Sequence, residues 1–121
     1  MNNRPKENMN KPKIVCLVGS TRFRTAFEIA NMDETLKGHI VVSVGMFGHD
    51  DYPLGAKYLC ADGDENNLTK QMLDELHEAK IDLADEILVI NVGGYVGSST
   101  TREIIYASSG GKPVRYMFCN E

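Results

Sequence analysis

The sequence predicts a small α/β domain: one parallel sheet with helices packed on both faces. Three observations lead there. Short apolar runs and helically spaced segments alternate in the order strand, helix, repeated and ending on a strand, which is the pattern of a wound parallel sheet. The runs are continuous rather than alternating with polar residues, as in strands covered on both sides. The chain has 121 residues, the size of one domain at about 100–150, with no room for separate catalytic and binding domains.

Residues 13–18 (KIVCLV), bounded by Pro12 and Gly19, read as the first buried strand. Ser20 or Thr21 can cap the helix that follows, through Phe23, Phe27, Ala30 and Leu36 to a stop at Gly38. Residues 40–44 (IVVSV) are β-branched and form the second strand. Residues 45–67 are the least regular stretch, with four glycines, Pro53 and acids at Asp62, Asp64 and Glu65; loops of this length are often functional. Leu68, Met72, Leu76, Ala79 and Leu83 recur at helical spacing and mark a second helix, with this stripe expected to face the core. Residues 86–92 (EILVINV) are the third strand. A glycine turn over 93–97 leads to a third helix from about Thr101 to Ser109, stopped by Gly110 and Gly111. Residues 113–118 (PVRYMF) close the series. Four strands and three helices make a small doubly wound sheet of the flavodoxin or Rossmann-like type. Ligands in such sheets sit at the carboxyl ends of the strands, which selects residues 19–22, 45–49 and 91–100.

Composition narrows the partners. Thirteen basic and seventeen acidic residues give a net charge of −4, without the basic field that nucleic-acid binding uses. No apolar run approaches the roughly 20 residues of a membrane span. Residues 1–12 are polar, with two prolines, and read as a flexible tail ahead of a domain over 13–121. The tail has no apolar stretch of a secretory signal. Cys16, Cys60 and Cys119 are odd in number and widely spaced, which supports neither a disulfide framework nor a zinc site. Cys16 reads as a buried inert thiol. A reducing, cytoplasmic setting follows, with no metal and no cofactor expected.

Four segments can carry chemistry. Gly19-Ser20-Thr21-Arg22 follows a strand and precedes a helix, combining a tight turn, two hydroxyls and a guanidinium that matches phosphate or carboxylate. It is neither GxGxxG nor a Walker loop, and on these four residues alone plain helix capping with a solvated arginine is the favoured alternative. Gly97-Ser98-Ser99-Thr100-Thr101-Arg102-Glu103 brings four hydroxyls to another helix start, a second possible phosphate cradle; Thr100 and Glu103 also fit a capping box. The two loops are placed to face one another across the sheet edge. At about 100° per residue from Leu68, His77 falls near 180° and Ile81 near 220°, both off the apolar stripe. His77 there is a solvated position or an acid/base near neutral pH, and Ile81 hints at a second buried face. Asp74, His77 and Glu78 do not match a metal-binding spacing such as HExxH. Phe47 and His49 follow the second strand, where an aromatic could stack on a base and a histidine hydrogen-bond it, or Phe47 could pack beneath the loop. Asn91 and Tyr95 flank the third strand's carboxyl end.

Several of these segments coincide with one pattern. The chain resembles the nucleoside 2-deoxyribosyltransferase superfamily, which includes the 2'-deoxynucleoside 5'-phosphate N-hydrolases. The resemblance runs from Lys13 to Phe118 and is carried by Gly19-Ser20-Thr21-Arg22, by residues 84–89 (ADEILV), by residues 97–107 around Glu103, and by Gly111-Lys112-Pro113-Val114. It implies a nucleotide or nucleoside pocket at the sheet's C-terminal edge, with Glu103 as the nucleophile on the anomeric carbon, as in a retaining glycosidase. The position that usually carries the family's other acid is His77, leaving acid/base work to His77 or to a neighbour such as Glu78 or Asp74. Gly97 stands where transferases commonly carry an acid. Gly19, Ser20, Thr21, Arg22, Gly97, Ser98, Ser99 and Thr100 would hold phosphate or ribose, and the resemblance implies at least a dimer.

The expected function is therefore cleavage or transfer of an N-glycosidic bond in a nucleoside or nucleotide. The alternative is a non-catalytic pocket that senses or sequesters a nucleotide of the ADP-ribose type. A third possibility is an interaction protein whose loops bind no small molecule.

Overall fold

The computed structural model describes residues 11–45, 47 and 68–119. Most of the expected N-terminal tail and of the long loop, His49 included, lies outside those residues. Strands β1 (Ile14–Gly19), β2 (Ile40–Val42), β3 (Glu86–Ile90) and β4 (Val114–Tyr116) form one sheet in the order β2-β1-β3-β4, and every pairing is parallel. Helices α1 (Arg24–Leu36), α2 (Leu68–Leu83) and α3 (Ser98–Ser109) accompany them, with a short 3-10 turn at Val92–Gly94. The fold is the small doubly wound α/β type expected from the sequence.

The continuous apolar strands have a direct explanation in the two cores. Val15, Leu17, Leu88 and Ile90 point to one face, where Phe27 and Ala30 of α1 cover them. Cys16, Val18, Ile87 and Val89 point to the other, against Ile81, Ala84 and Ala107 from the α2/α3 layer. Period-two strand geometry sends neighbours to opposite faces, and both faces are covered, so no polar alternation survives.

Element ends differ from the sequence reading. The edge strands are short: β2 stops at Val42 instead of Val44, and β4 covers 114–116 instead of 113–118. Each pairs on one side only, whereas β1 is held from both sides and continues to Gly19. There the backbones of β1 and β3 nearly touch, since a Cβ on Gly19 would lie 2.9 Å from the Ile90 carbonyl oxygen. β3 ends at Ile90 because the chain turns at Val92–Gly94. α1 starts at Arg24, with Phe23 in the N-cap position and no side-chain cap. Neither Ser20 nor Thr21 caps it; the Arg22 N–H donates to Ser20 Oγ, and the Phe23 N–H to the Ser20 carbonyl, closing a separate turn. At its other end Gly38, at φ +88, stops the helix as expected.

The apolar stripe of α2 is not the core face. Leu68, Met72, Leu76 and Leu83 are all exposed, and Ile81 is the residue of α2 that is buried. One apolar side chain plus Ala84 suffices there, because the rest of the inward face lies over the C-terminal edge of the sheet, where a cavity begins.

Opposite that edge, the strands start on an ionic cluster. Arg115 of β4 donates to Glu34 of α1 and to Glu86 of β3. Glu34 also receives Lys37 Nζ at 3.1 Å and lies 2.7 Å from His39 Nδ1, and Lys13 approaches Glu86 at 3.2 Å. Burial pushes the Glu34 carboxyl up, but its bonds to Arg115, His39 and Lys37 outweigh this and hold it down at about 2. Among the described residues, no helix is long and apolar enough to cross a membrane.

Candidate functional site

The winding of the chain reverses between β1 and β3, where β1 leads outward to β2 and β3 leads the other way to β4. Loops leaving the two strands diverge there and open a crevice. A cavity of about 430 Å³ occupies it, within the range of roughly 300–1,000 Å³ for small-ligand pockets. One wall is the turn Gly19-Ser20-Thr21, the second is Gly97-Ser98-Ser99-Thr100 at the start of α3, and the third is the inward face of α2.

The α3 wall is shaped by Gly97. It occupies the N-cap position without a side-chain cap, so the first N–H groups of α3 and the hydroxyls of Ser98 and Ser99 are presented together. A Cβ at residue 97 would lie 3.0 Å from the Tyr95 hydroxyl, so a side chain there would push Tyr95 aside. The helix begins at Ser98, three residues before the expected start. This removes the capping-box reading of Thr100 and Glu103: both sit inside the helix, with Thr100 buried and Glu103 turned toward the cavity.

Glu103 meets His77 of α2 there, with Nε2 and Oε2 3.8 Å apart. Both side chains are mostly buried, at 20% and 11% exposure, and His77 Nε2 has no hydrogen-bond partner. Burial raises the Glu103 carboxyl to about 7, reinforced by Asp74 and Glu78 and opposed by Arg102 and Lys70. Burial lowers His77 to about 4, helped by Lys80 and opposed by Asp74. Each group is thus pushed toward its uncharged form, as desolvation requires. Between about pH 4 and 7 the pair therefore holds one exchangeable proton, mostly on the carboxyl.

The remaining expected site residues divide. Tyr95 lines the cavity, with Phe23 edge-on to its ring at 5.9 Å. Arg22 does not line it: its guanidinium lies 5.1 Å over the Tyr95 ring, outside the pocket wall. Phe47 belongs to the opposite core, ring against ring with Phe27 at 5.4 Å, which settles its reading as packing. Asn91 is also misplaced by the sequence reading. Its side chain donates to the Phe118 carbonyl and accepts from the Phe118 N–H, both at 3.0 Å, so it clamps the segment after β4 and lines a separate groove beside that strand.

Sequence reasoning missed Lys70 and Lys80, which line the cavity from α2. Lys80 Nζ donates to the Ser43 carbonyl at 2.8 Å and ties α2 to the end of β2. Lys70 pairs with Asp74 at 3.1 Å. Their signal was Ile81: taking its side of the helix as inward brings His77, Asp74 and Lys70 inward with it. Among the described residues no group of three or more His, Cys, Asp or Glu side chains could hold a metal ion.

The fold and the cavity define a class, an α/β domain with a largely apolar pocket, carrying a few convergent polar side chains, at its topological switch point. No family model matches the chain, and no curated protein matches it in sequence.

Proposed function

We propose that this protein cleaves the N-glycosidic bond of a nucleoside or nucleotide, with Glu103 as nucleophile and His77 as its proton partner. The observation that carries the reading is the buried Glu103–His77 pair, 3.8 Å apart in a ligand-sized cavity. Transfer of the carboxyl proton to His77 Nε2 produces a carboxylate and an imidazolium at once. The carboxylate attacks the anomeric carbon as the C–N bond breaks, and the imidazolium protonates the departing base. The neutral His77 then takes a proton from the water that attacks the same carbon, and Glu103 is released. The single proton of the resting pair is restored. Hydroxyls of Ser20, Thr21, Ser98 and Ser99, with the α3 N-terminus, suit a phosphate or ribose at the far wall, and the Tyr95 ring suits an aromatic base.

The test is incubation with 2'-deoxynucleosides and their 5'-phosphates, with release of free base followed by chromatography. Glu103→Gln and His77→Phe are each expected to lower turnover at least about 100-fold. Release at the parent rate by Glu103→Gln overturns the mechanism. The second reading, binding without turnover, is favoured by one observation: a carboxyl held up at about 7 is only partly ionised at neutral pH. Nucleotide-dependent thermal stabilisation without base release over hours would select it.

A further inference from the structure

Among the described residues, the lysine, histidine and carboxyl side chains that line the cavity fall into two matched pairs and one lysine without a carboxylate partner. Lys70 has the Asp74 carboxylate at 3.1 Å, and Glu103 faces His77 at 3.8 Å. Lys80 lines the same cavity, but the acceptor it holds is a neutral one, the Ser43 carbonyl at 2.8 Å. A lysine ammonium carries three N–H donors, so this bond leaves the others to be satisfied. In a half-buried position such a charge needs a further acceptor. No side chain covers it from residue 45, which is glycine, and a Cβ there would lie 3.9 Å from the Lys80 Nζ. The ammonium is thus held in place by the chain after β2 and is open to a ligand in the cavity.

Its position selects the part of a ligand that it meets. Lys80 follows His77 by three residues on α2, so the two are neighbours on one helix face, with Cβ atoms roughly 5–6 Å apart. In the reaction proposed above, on which the role of Lys80 rests, His77 faces the departing base, while phosphate and ribose lie at the wall of Ser98 and Ser99. As the C–N bond breaks, its electron pair stays with the base. Where the base has a ring carbonyl, the charge delocalises onto that oxygen. An ammonium is a donor without an acceptor, so its bond to such an oxygen strengthens as the charge develops. It has nothing to offer an exocyclic amino group, which is itself a donor. No proton leaves Lys80: the base takes its proton from His77, and the charge of Lys80 makes that imidazolium a stronger acid. We propose that Lys80 selects the base by donating to a ring carbonyl oxygen, so that the cavity favours oxo-bases such as hypoxanthine over adenine, which has no carbonyl.

The test uses the full chain and one pair of nucleotides, the 5'-phosphates of 2'-deoxyinosine and 2'-deoxyadenosine, whose purines carry a carbonyl and an amino group at the same ring position. Base release should show kcat/KM about 10- to 100-fold higher for the inosine nucleotide, the range expected of a hydrogen bond from a charged donor. Lys80→Met should remove most of that ratio, lowering kcat/KM for the inosine nucleotide and leaving that for the adenosine nucleotide almost unchanged. A parent protein without the preference overturns the proposal, as does a preference that survives Lys80→Met. An equal fall for both nucleotides overturns it too, because Lys80 would then hold the phosphate or sugar that they share. Titration calorimetry separates the selection from the reaction. Should the parent release neither base, the glycosidase reading fails, while tighter binding of the inosine nucleotide, lost in Lys80→Met, is still expected. Equal binding of the two, or binding of neither, overturns the proposal. The parent's own preference remains decisive should Lys80→Met fail to fold.

Discussion

Glu103 and His77 illustrate how two groups with opposite shifts behave as one. Across the window from about 4 to about 7 the folded pair carries one proton and no net charge. If the proposed chemistry needs that proton, kcat/KM should be bell-shaped, rising through about 4 and falling above about 7, with both limbs belonging to the pair. Stability follows the same logic. A carboxyl raised from 4.5 to about 7 contributes stability below 4.5 that is lost as pH rises to 7; a histidine lowered from 6.5 to about 4 contributes stability above 6.5 that is lost as pH falls. Between 4.5 and 6.5 the two slopes nearly cancel, so the melting temperature of the parent protein should change little with pH on their account. His77→Phe exposes the Glu103 slope, so that variant should lose on the order of 3 kcal/mol between pH 4.5 and 7. Glu103→Gln should show the opposite slope. Urea unfolding across this range checks both. Gly97→Ala should weaken ligand binding because its Cβ would meet the Tyr95 hydroxyl at 3.0 Å. Removing that hydroxyl in the Gly97→Ala/Tyr95→Phe double variant should restore part of the loss, measured by titration calorimetry.

Elements show where local patterns and tertiary context disagree. Strands β1 and β3 were legible because burial on both faces leaves a continuous apolar run, and the loops after them were among the three selected as strand carboxyl ends; the strand order that makes those two the crevice was not legible. α2 was legible as a helix but not in its orientation. Its strongest periodicity belongs to the exposed stripe, and sequence periodicity reports an apolar face without saying what covers it. The site inherited that error: His77 was found as a candidate, while Lys70 and Lys80 on neighbouring inward positions were passed over. Asn91 and Phe47 were selected by adjacency to a strand end, which says nothing about which way a side chain turns. The capping-box reading of Glu103 failed for a simpler reason, since a helix beginning three residues earlier puts both of its members inside. Cys16 fits its expectation well: it is fully buried in β1, and burial pushes its thiol up to about 12. Iodoacetamide should therefore leave Cys16 unmodified in the native protein while modifying the exposed Cys119.

At the scale of the whole molecule, stability and ligand chemistry occupy opposite ends of the same strands. Arg115, Glu34 and Glu86 join β4, α1 and β3 at the amino ends. Glu34 is 3% exposed, but Arg115 is 36% exposed and keeps Glu86, so Glu34→Gln should cost about 1–3 kcal/mol through weakened charge-assisted hydrogen bonds. The carboxyl of Glu34, held down at about 2, contributes fully above pH 4.5 and is lost as pH falls toward 2. The Glu34 share of the acid-side loss should begin below pH 4.5, and Glu34→Gln should show a shallower fall there while being less stable at neutral pH. The cavity lies at the carboxyl ends, and its side walls are the two loops that include Ser20, Thr21, Ser98 and Ser99. Its floor is fixed where Gly19 meets Ile90 with no room for a methyl group. Evolution can therefore rewrite the four hydroxyl positions while the charged network at the far end keeps the scaffold folded. A lineage of such chains can change the chemistry of its cavity wall without first surviving an unstable intermediate.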